Sequence, residues 1–311
     1  MRAVDALHDK LKSLGWRGIV LPFGFRDAAT RTVAALHQDG KLDESLYRNY
    51  LAPMLEPPAS DSLEPRSIIL IARPSYPVRL HFTLNGKPVA VTAAPGYLRG
   101  AAQRPSDVVN EVLAPLGFSA EGIDCPQKTL ATISGFARYG RNNITYVEGL
   151  GSFHALVTLV SDLPCNEVPV REQEALPQCE TCGACRTACP TGAIAHDRFL
   201  LHAERCITFW NEQEADVPFP EWIKRDWHNA LFGCLHCQRA CPENRPYLGL
   251  VHEGPTVDEA TTRLLLERTR KEDMPESILP VLAPWRLDVL APYLPRNLGI
   301  LVERVGAAGR S

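Results

Sequence analysis

Eight of the ten cysteines in this chain stand at spacings that dictate what must surround them. The first group reads Cys179-Glu-Thr-Cys182-Gly-Ala-Cys185-Arg-Thr-Ala-Cys189-Pro190, a C-x2-C-x2-C-x3-C-P run. The second reads Cys234-Leu-His-Cys237-Gln-Arg-Ala-Cys241-Pro242. It has the same ending but lacks one upstream cysteine, and Cys206 lies between the two groups. Tight clustering of this kind is metal-ligand spacing rather than a disulfide framework.

The first spacing is the one that holds a cubane cluster in bacterial ferredoxins. Three thiolates two residues apart can each take one corner of a cube, while Gly183 and Ala184 let backbone N–H groups approach the sulfides. The fourth cysteine, three residues on and before a proline, points away and ligates the other cluster. Pairing by that rule puts Cys179, Cys182, Cys185 and Cys241 on one [4Fe–4S] cluster. Cys189, Cys206, Cys234 and Cys237 then hold a second, and no ligand is left over. Two zinc sites of four cysteines each would use the same number of thiolates, but structural zinc favours paired C-x2-C knuckles without the x3-C-P ending. Cys125 and Cys165 fall outside the pattern and read as buried or incidental thiols. His236 reads as a spacer beside the cluster. Two fully ligated cubanes carry single electrons and offer no open iron to a substrate, so any chemistry lies elsewhere in the chain.

A chain of 311 residues can hold one large core with a smaller unit, or two domains. Val4, Leu7, Leu11 and Leu14 repeat at helical spacing up to Gly15. Gly18–Pro22 reads as a buried strand, residues 26–55 as helical, 56–61 as a loop, and Ser67–Ala72 as a central strand. Residues 80–84 and 88–92 flank Asn85-Gly86, a pair suited to a two-residue hairpin turn. A helix is expected over 107–116 with Ser106 as its N-cap. Two more strands are expected at 143–147 and 153–160, joined around Gly149-Leu-Gly151. Residues 1–165 therefore read as an α+β domain with a partly antiparallel sheet, 166–255 as a strand-free double [4Fe–4S] cluster domain, and 256–311 as a helical segment broken by prolines. The charged start, MRAVDALHDKLKSLGW, has no secretory apolar core, and no apolar run is long enough to span a membrane. A cytoplasmic, reducing location is expected. The net charge of −3 gives no sign of a general polyanion binder.

On these motifs the sequence resembles the epoxyqueuosine reductase family, corrinoid-dependent enzymes related to reductive dehalogenases. Cys179 through Cys189-Pro-Thr-Gly-Ala193 is similar to the family's first motif, Arg205-Cys206-Ile207 to its lone middle cysteine, and Gly233-Cys234 through Cys241-Pro242 to its second motif. Gly151-Ser-Phe153 and Leu294-Pro-Arg296-Asn297 resemble two further family segments. The resemblance implies a nitroreductase-like N-terminal domain that cradles cobalamin, and a ferredoxin-like dicluster domain that delivers electrons to cobalt. It also implies an external donor such as a ferredoxin or flavodoxin. FMN is the alternative to cobalamin, because related folds host flavins.

The sequence departs from the family in three places. The family's Gly-rich stretch is here Gly135-Phe-Ala-Arg138-Tyr139-Gly140-Arg141, keeping the outer glycines and a final cation. Anchoring on Gly140 puts Glu121 at the position of the family's catalytic aspartate, and the nearest aspartate is Asp124. The chain ends soon after Asn297, so the helical repeat through which the family grips RNA is not expected. From Thr256 onward eight cations face eight anions, which gives transfer RNA no electrostatic support as substrate. Glu121, Asp124, Tyr139 and Arg141 are the candidates for proton donation or substrate contact. Each of three has a structural reading beside that one: a turn cap for Asp124, a half-buried ring for Tyr139, a surface cation for Arg141. The function expected is a corrinoid-dependent reductase of an unidentified substrate. A non-catalytic dicluster electron carrier and a corrinoid reductase or carrier serving another enzyme are the alternatives.

Overall fold

An uninterrupted apolar run can sit in a sheet only if both faces of the sheet are covered, and residues 67–72 form such a run. The computed structural model describes residues 2–56, 63–98, 100, 103–267 and 270–308. The loop expected at 56–61 lies outside them beyond Glu56. Among the described residues the strands are β1 (Arg17–Pro22), β2 (Ser67–Pro74), β3 (Val78–Leu84), β4 (Lys87–Ala93), β5 (Ala120–Gly122), β6 (Arg138–Tyr139), β7 (Thr145–Tyr146), β8 (His154–Ser161) and β9 (His252–Val257). The chain divides into two units. Unit 1 is Met1–Pro74, Gln103–Gly183 and His196–Leu200; unit 2 is Ser75–Ala102, Ala184–Ala195 and Leu201–Ser311.

Unit 1 is built on a four-stranded antiparallel sheet in the order β1-β2-β8-β5. Side chains alternate along β2, so Ile68, Leu70 and Ala72 meet Phe25, Ala29 and Leu130 on one face. Ile69 and Ile71 meet Leu7, Leu11, Val109 and Leu113 on the other. Each such fully buried aliphatic chain contributes about 1.5–3 kcal/mol. Helices Arg2–Ser13 and Pro105–Leu113 therefore cover one face, and Gly24–Gln38 and Gln127–Ile133 the other. β1 is an edge strand and only half-buried over most of its length, rather than the buried strand the sequence predicts.

Several element boundaries follow from local backbone chemistry. Gly15, at φ 72°, ends the first helix in a Schellman turn: Trp16 N–H donates to Leu11 O and Gly15 N–H to Lys12 O. The helix expected over 26–55 stops at Gln38, where Gly40 takes φ 66°, and restarts at Asp43, whose carboxylate accepts from Leu46 N–H. Helix Pro105–Leu113 starts earlier than expected, because Pro105 occupies its first turn; Arg104, not Ser106, is the N-cap residue. The strand expected over 143–147 shrinks to Thr145–Tyr146, since Asn143 has φ 55°.

In unit 2 the hairpin β3–β4 turns on Asn85 and Gly86, both at positive φ, as the Asn-Gly pair predicts. A strand that the sequence reading missed, β9, pairs parallel to β3. His252-Glu-Gly-Pro255 carries little strand propensity, so tertiary pairing makes this strand. Gly254 permits it: a Cβ there would lie 2.8 Å from Leu80 Cδ2 and 3.0 Å from Arg79 O. The inner face of the hairpin (Val78, Leu80, Phe82, Val89, Val91) packs against Leu265, Leu282, Leu287, Leu294 and Leu298. The tail is helical as expected, over Glu259–Leu266, Leu279–Leu282 and Leu294–Ala308. No helix among the described residues is long and apolar enough to cross a membrane.

Gly254→Ala should destabilise unit 2 by about 1–3 kcal/mol, since the neighbour at 3.0 Å is backbone and cannot swing aside; thermal unfolding checks this. A second expectation concerns pH. Burial pulls His154 and His228 down to about 4, and nearby arginines, Arg296 first, add to the effect on His228. A folded pKa below the unfolded one means that the native state holds fewer protons between the two, so stability rises with pH there. Full stability should exist above about pH 6.5 and be lost progressively toward about pH 4. The Tm of a His228→Gln variant should fall less than that of the unsubstituted protein over this window.

Candidate metal centre and its surroundings

Five of the eight cysteines, Cys185, Cys189, Cys206, Cys234 and Cys237, share one electrostatic neighbourhood in unit 2. Cys189 precedes Pro190, and Cys206 stands just ahead of helix Ile207–Asn211. Cys234 comes two residues before the helical turn His236–Ala240, and Cys237 lies within it. Burial pushes the Cys234 thiol up to about 12, with repulsion from Cys206 and Cys189 adding to it. Cys237 is raised well above the ordinary thiol value, by burial first and then by Cys234, Cys206, Cys185 and Cys189. Cys206 is raised by burial too, against backbone hydrogen bonds from Thr208 and Phe209 that favour its thiolate. Burial and mutual repulsion both oppose ionisation of Cys206, Cys234 and Cys237; iron would supply the compensating charge, since a coordinating thiol is deprotonated outright.

The other set is distributed. Cys185 is buried on helix Ala184–Ala188, which packs on helix His236–Ala240, and Cys241 ends that second helix. Cys179 and Cys182 belong to unit 1, with Cys179 in the turn Pro177–Glu180. No three His, Cys, Asp or Glu among the described residues are arranged around a single ion. Cubane ligands have no need to be, because each thiolate binds a different iron. Cys125 is buried, 3.5 Å from Thr158 Oγ1, and Cys165 is half-buried.

Two asparagines hold the cysteine loops together. Asn211 Nδ2 donates to Gly233 O at 2.8 Å, fixing the residue before Cys234. Asn297 Nδ2 donates to Asn211 O at 2.8 Å and Leu231 O at 3.0 Å. Arg296 donates to Trp210 O and Gln213 O, both at 2.7 Å, and its guanidinium lies 4.0 Å over the Phe219 ring. The Leu294-Pro-Arg296-Asn297 segment is thus a clamp from the tail helix onto the loops that carry Cys206 and Cys234. Residues 296 and 297 stand out in the sequence only through a resemblance, and Asn211 does not stand out. A lone amide inside the apolar stretch Ile207-Thr-Phe-Trp-Asn211 was the available signal. His236 also has a scaffolding partner, since its Nε2 meets Trp227 O at 2.9 Å.

The candidates in unit 1 do not gather at one point. Arg141 Nε and Nη2 both donate to Cys179 O, at 3.1 and 2.9 Å, which fixes the turn bearing that thiol. Arg141 also lines a cavity of about 320 Å³ with Cys179, Glu180, His196, Asp197 and Phe199. Tyr139 meets Phe199 edge-on, ring centres 5.5 Å apart. Its hydroxyl is bonded to Thr129, Thr132 and Gln173, and burial pushes the phenol up. Glu121 sits in the short edge strand β5 opposite Val160, and Asp124 is exposed in the loop after it; neither lines that cavity. A second cavity, of about 520 Å³, lies in unit 2 among Pro190, Thr191, Glu204, Arg205, Trp210, Trp222 and Trp227.

Comparison with known proteins agrees with this geometry. Residues 178–244 match the family described as "4Fe-4S double cluster binding domain". The epoxyqueuosine reductase of Shewanella oneidensis is 31% identical over 156 residues, covering 48% of this chain and 38% of that protein. That of Vibrio cholerae is 26% identical over 226 residues, 67% of this chain and 59% of that protein. The match thus spans about two fifths of the first relative and three fifths of the second. Among solved structures, epoxyqueuosine reductase from Streptococcus thermophilus matches with a TM-score of 0.60 at 19% identity, over 97% of this chain and 81% of that one. An epoxyqueuosine reductase with an epoxyqueuosine-modified tRNA-Tyr stem loop matches with a TM-score of 0.55 at 19% identity, over 96% and 80%. The likeness to the structures is one of fold.

Asn297→Ala should cost about 1–3 kcal/mol, because two buried carbonyls lose their donor. It should also accelerate loss of iron under a chelator, since the Cys206 and Cys234 loops lose a common tie. Thermal unfolding and the rate of cluster bleaching measure the two effects.

Proposed function

We propose that this chain, a relative of the epoxyqueuosine reductases, is an iron–sulfur reductase in which two [4Fe–4S] clusters relay single electrons to an acceptor. The observation that carries this reading is the gathering of Cys189, Cys206, Cys234 and Cys237, with Cys185 beside Cys237, into one neighbourhood within the matched double-cluster segment. Such a crowd of thiols is unfavourable once ionised until iron binds, and four thiolates complete one cube. Cys179, Cys182, Cys185 and Cys241 are the ligands of the other by the spacing of their motif.

The chain's own residues would do three things around the clusters. The Asn211–Asn297 clamp fixes the loops, burial keeps water from the sulfides, and Arg141 brings a cation to the Cys179 turn. Of the four polar candidates, Arg141 lines the unit 1 cavity and is assigned substrate contact there; Glu121, Asp124 and Tyr139 stay as candidates for proton donation.

Unit 1 is read as nitroreductase-like, and a corrinoid is the acceptor that the family resemblance implies. Neither cavity described above could enclose a corrin macrocycle with its nucleotide tail. Epoxyqueuosine in tRNA is the substrate that the relatives' name offers, and the unidentified acceptor is narrowed first by a binding test.

Anaerobically prepared protein should contain about eight irons per chain and give a reduced-cluster EPR signal. Cys241→Ala should disturb the cluster of Cys179, Cys182 and Cys185 while sparing the one that includes Cys206. Loss of only the latter would refute the pairing, and stoichiometric zinc in place of iron would end the redox reading. Adding cob(II)alamin to the reduced protein tests the acceptor: formation of cob(I)alamin supports a corrinoid reductase, and failure to bind removes it.

A further inference from the structure

The cavity of about 520 Å³ in unit 2 has walls that hang on the second cluster's ligands. Pro190 and Thr191 directly follow Cys189, and Thr191 Oγ1 lies 3.4 Å from its Sγ. Glu204 and Arg205 directly precede Cys206, and Trp210 stands in the helix that starts after it. Trp210 is held in turn by its indole N–H, which donates to Glu204 O at 2.8 Å. Trp227 is fixed through its carbonyl by His236, which lies between Cys234 and Cys237. The stretches that carry Cys189 and Cys206 line this opening, and the Cys234–Cys237 stretch is tied to it through the bond between His236 and Trp227. Its outer wall is Trp222, 44% exposed, an unusual position for the largest apolar side chain.

From this arrangement we infer that the cleft is where electrons reach the second cluster, and that its ligand is the isoalloxazine ring of a reduced flavin. The inference rests on the cluster assignment proposed above. A cubane accepts one electron at a time. A nicotinamide delivers a hydride, two electrons together, and so cannot reduce a cubane directly. A flavin hydroquinone can, because it releases its two electrons singly by way of a semiquinone. Its planar tricyclic ring suits a cleft lined by three indoles, and Arg205 there stands beside Glu204, so the indoles rather than net charge select the ring. In the step itself, the flavin hydroquinone anion gives one electron to the oxidised cluster. The flavin becomes the neutral semiquinone and the cluster is reduced by one unit of charge; no proton or bond is transferred. The semiquinone gives its electron to a second oxidised cluster, releases its N5 proton to water, and leaves as oxidised flavin.

Anaerobic stopped-flow reduction of the cluster-loaded protein tests this, with cluster bleaching as the readout. Photoreduced free FMN and flavodoxin hydroquinone are the two flavin sources, and dithionite is the reference reductant. Trp222→Ala should lower the flavin rate, relative to the dithionite rate, by about tenfold, the loss expected of one ring–ring contact. Trp222→Phe should restore most of it. A drop with free FMN marks a slot for the flavin itself; a drop with flavodoxin alone marks docking of the flavin in its protein, and either result supports the inference. An unchanged ratio with both sources overturns it. If the anaerobically prepared protein carries neither iron nor cluster absorbance, the iron–sulfur assignment has failed instead, and the two failures are thereby distinct.

Discussion

Neighbouring thiols that are partly buried repel one another as soon as they ionise, and that conflict runs through the cysteine loops of unit 2. Burial is the leading cause of the raised thiol pKa at Cys206, Cys234 and Cys237, and mutual repulsion adds to it. Without iron these groups are neutral and pack as ordinary apolar side chains. With iron the same pocket becomes an advantage, because low dielectric strengthens the attraction between thiolates and metal and shields the sulfides from water. The fold thus gives up some stability in the empty state and regains it on loading, the linkage expected of a structural metal centre.

What positions the thiols is hydrogen bonding to loop carbonyls rather than regular secondary structure. The helices that carry the cysteines are five residues long, too short to hold a conformation alone. Their rigidity comes from Asn211 and Asn297, which bridge the Cys206 helix, the Gly233 carbonyl and the tail. Arg296, drawn down to about 10 by burial, caps three carbonyls of the same loop system while stacking on Phe219. The C-terminal helix therefore helps to hold the Cys206 and Cys234 loops although it carries no cysteine.

The sequence made some of this legible and hid the rest for physical reasons. The cysteine spacing revealed the double-cluster domain because cubane geometry leaves little freedom in the distances between ligands. Asn85-Gly86 announced its hairpin because two successive positive φ angles demand those residues. The run 67–72 announced a central strand, and its lack of alternation is explained by helices on both faces. By contrast, β9 was invisible because its pairing partner lies more than 160 residues away and its own residues favour a loop. Glu121 and Asp124 were chosen by alignment to a single glycine. In the structure one sits in a three-residue edge strand and the other on an exposed loop. The tryptophan cleft had no local signal at all, since Trp210, Trp222 and Trp227 share no periodicity.

The parallel pairing of β3 with β9 also has a consequence for biogenesis. The hairpin is made early in synthesis, yet its third strand and the helix that covers it come from the last fifth of the chain. Contacts of such long sequence separation close slowly and late. On the ribosome, unit 1 can complete its sheet once β8 has emerged, whereas the hairpin must wait with its apolar face bare until the tail follows. The Asn211–Asn297 tie between the Cys206 and Cys234 loops likewise forms only once the tail has been made.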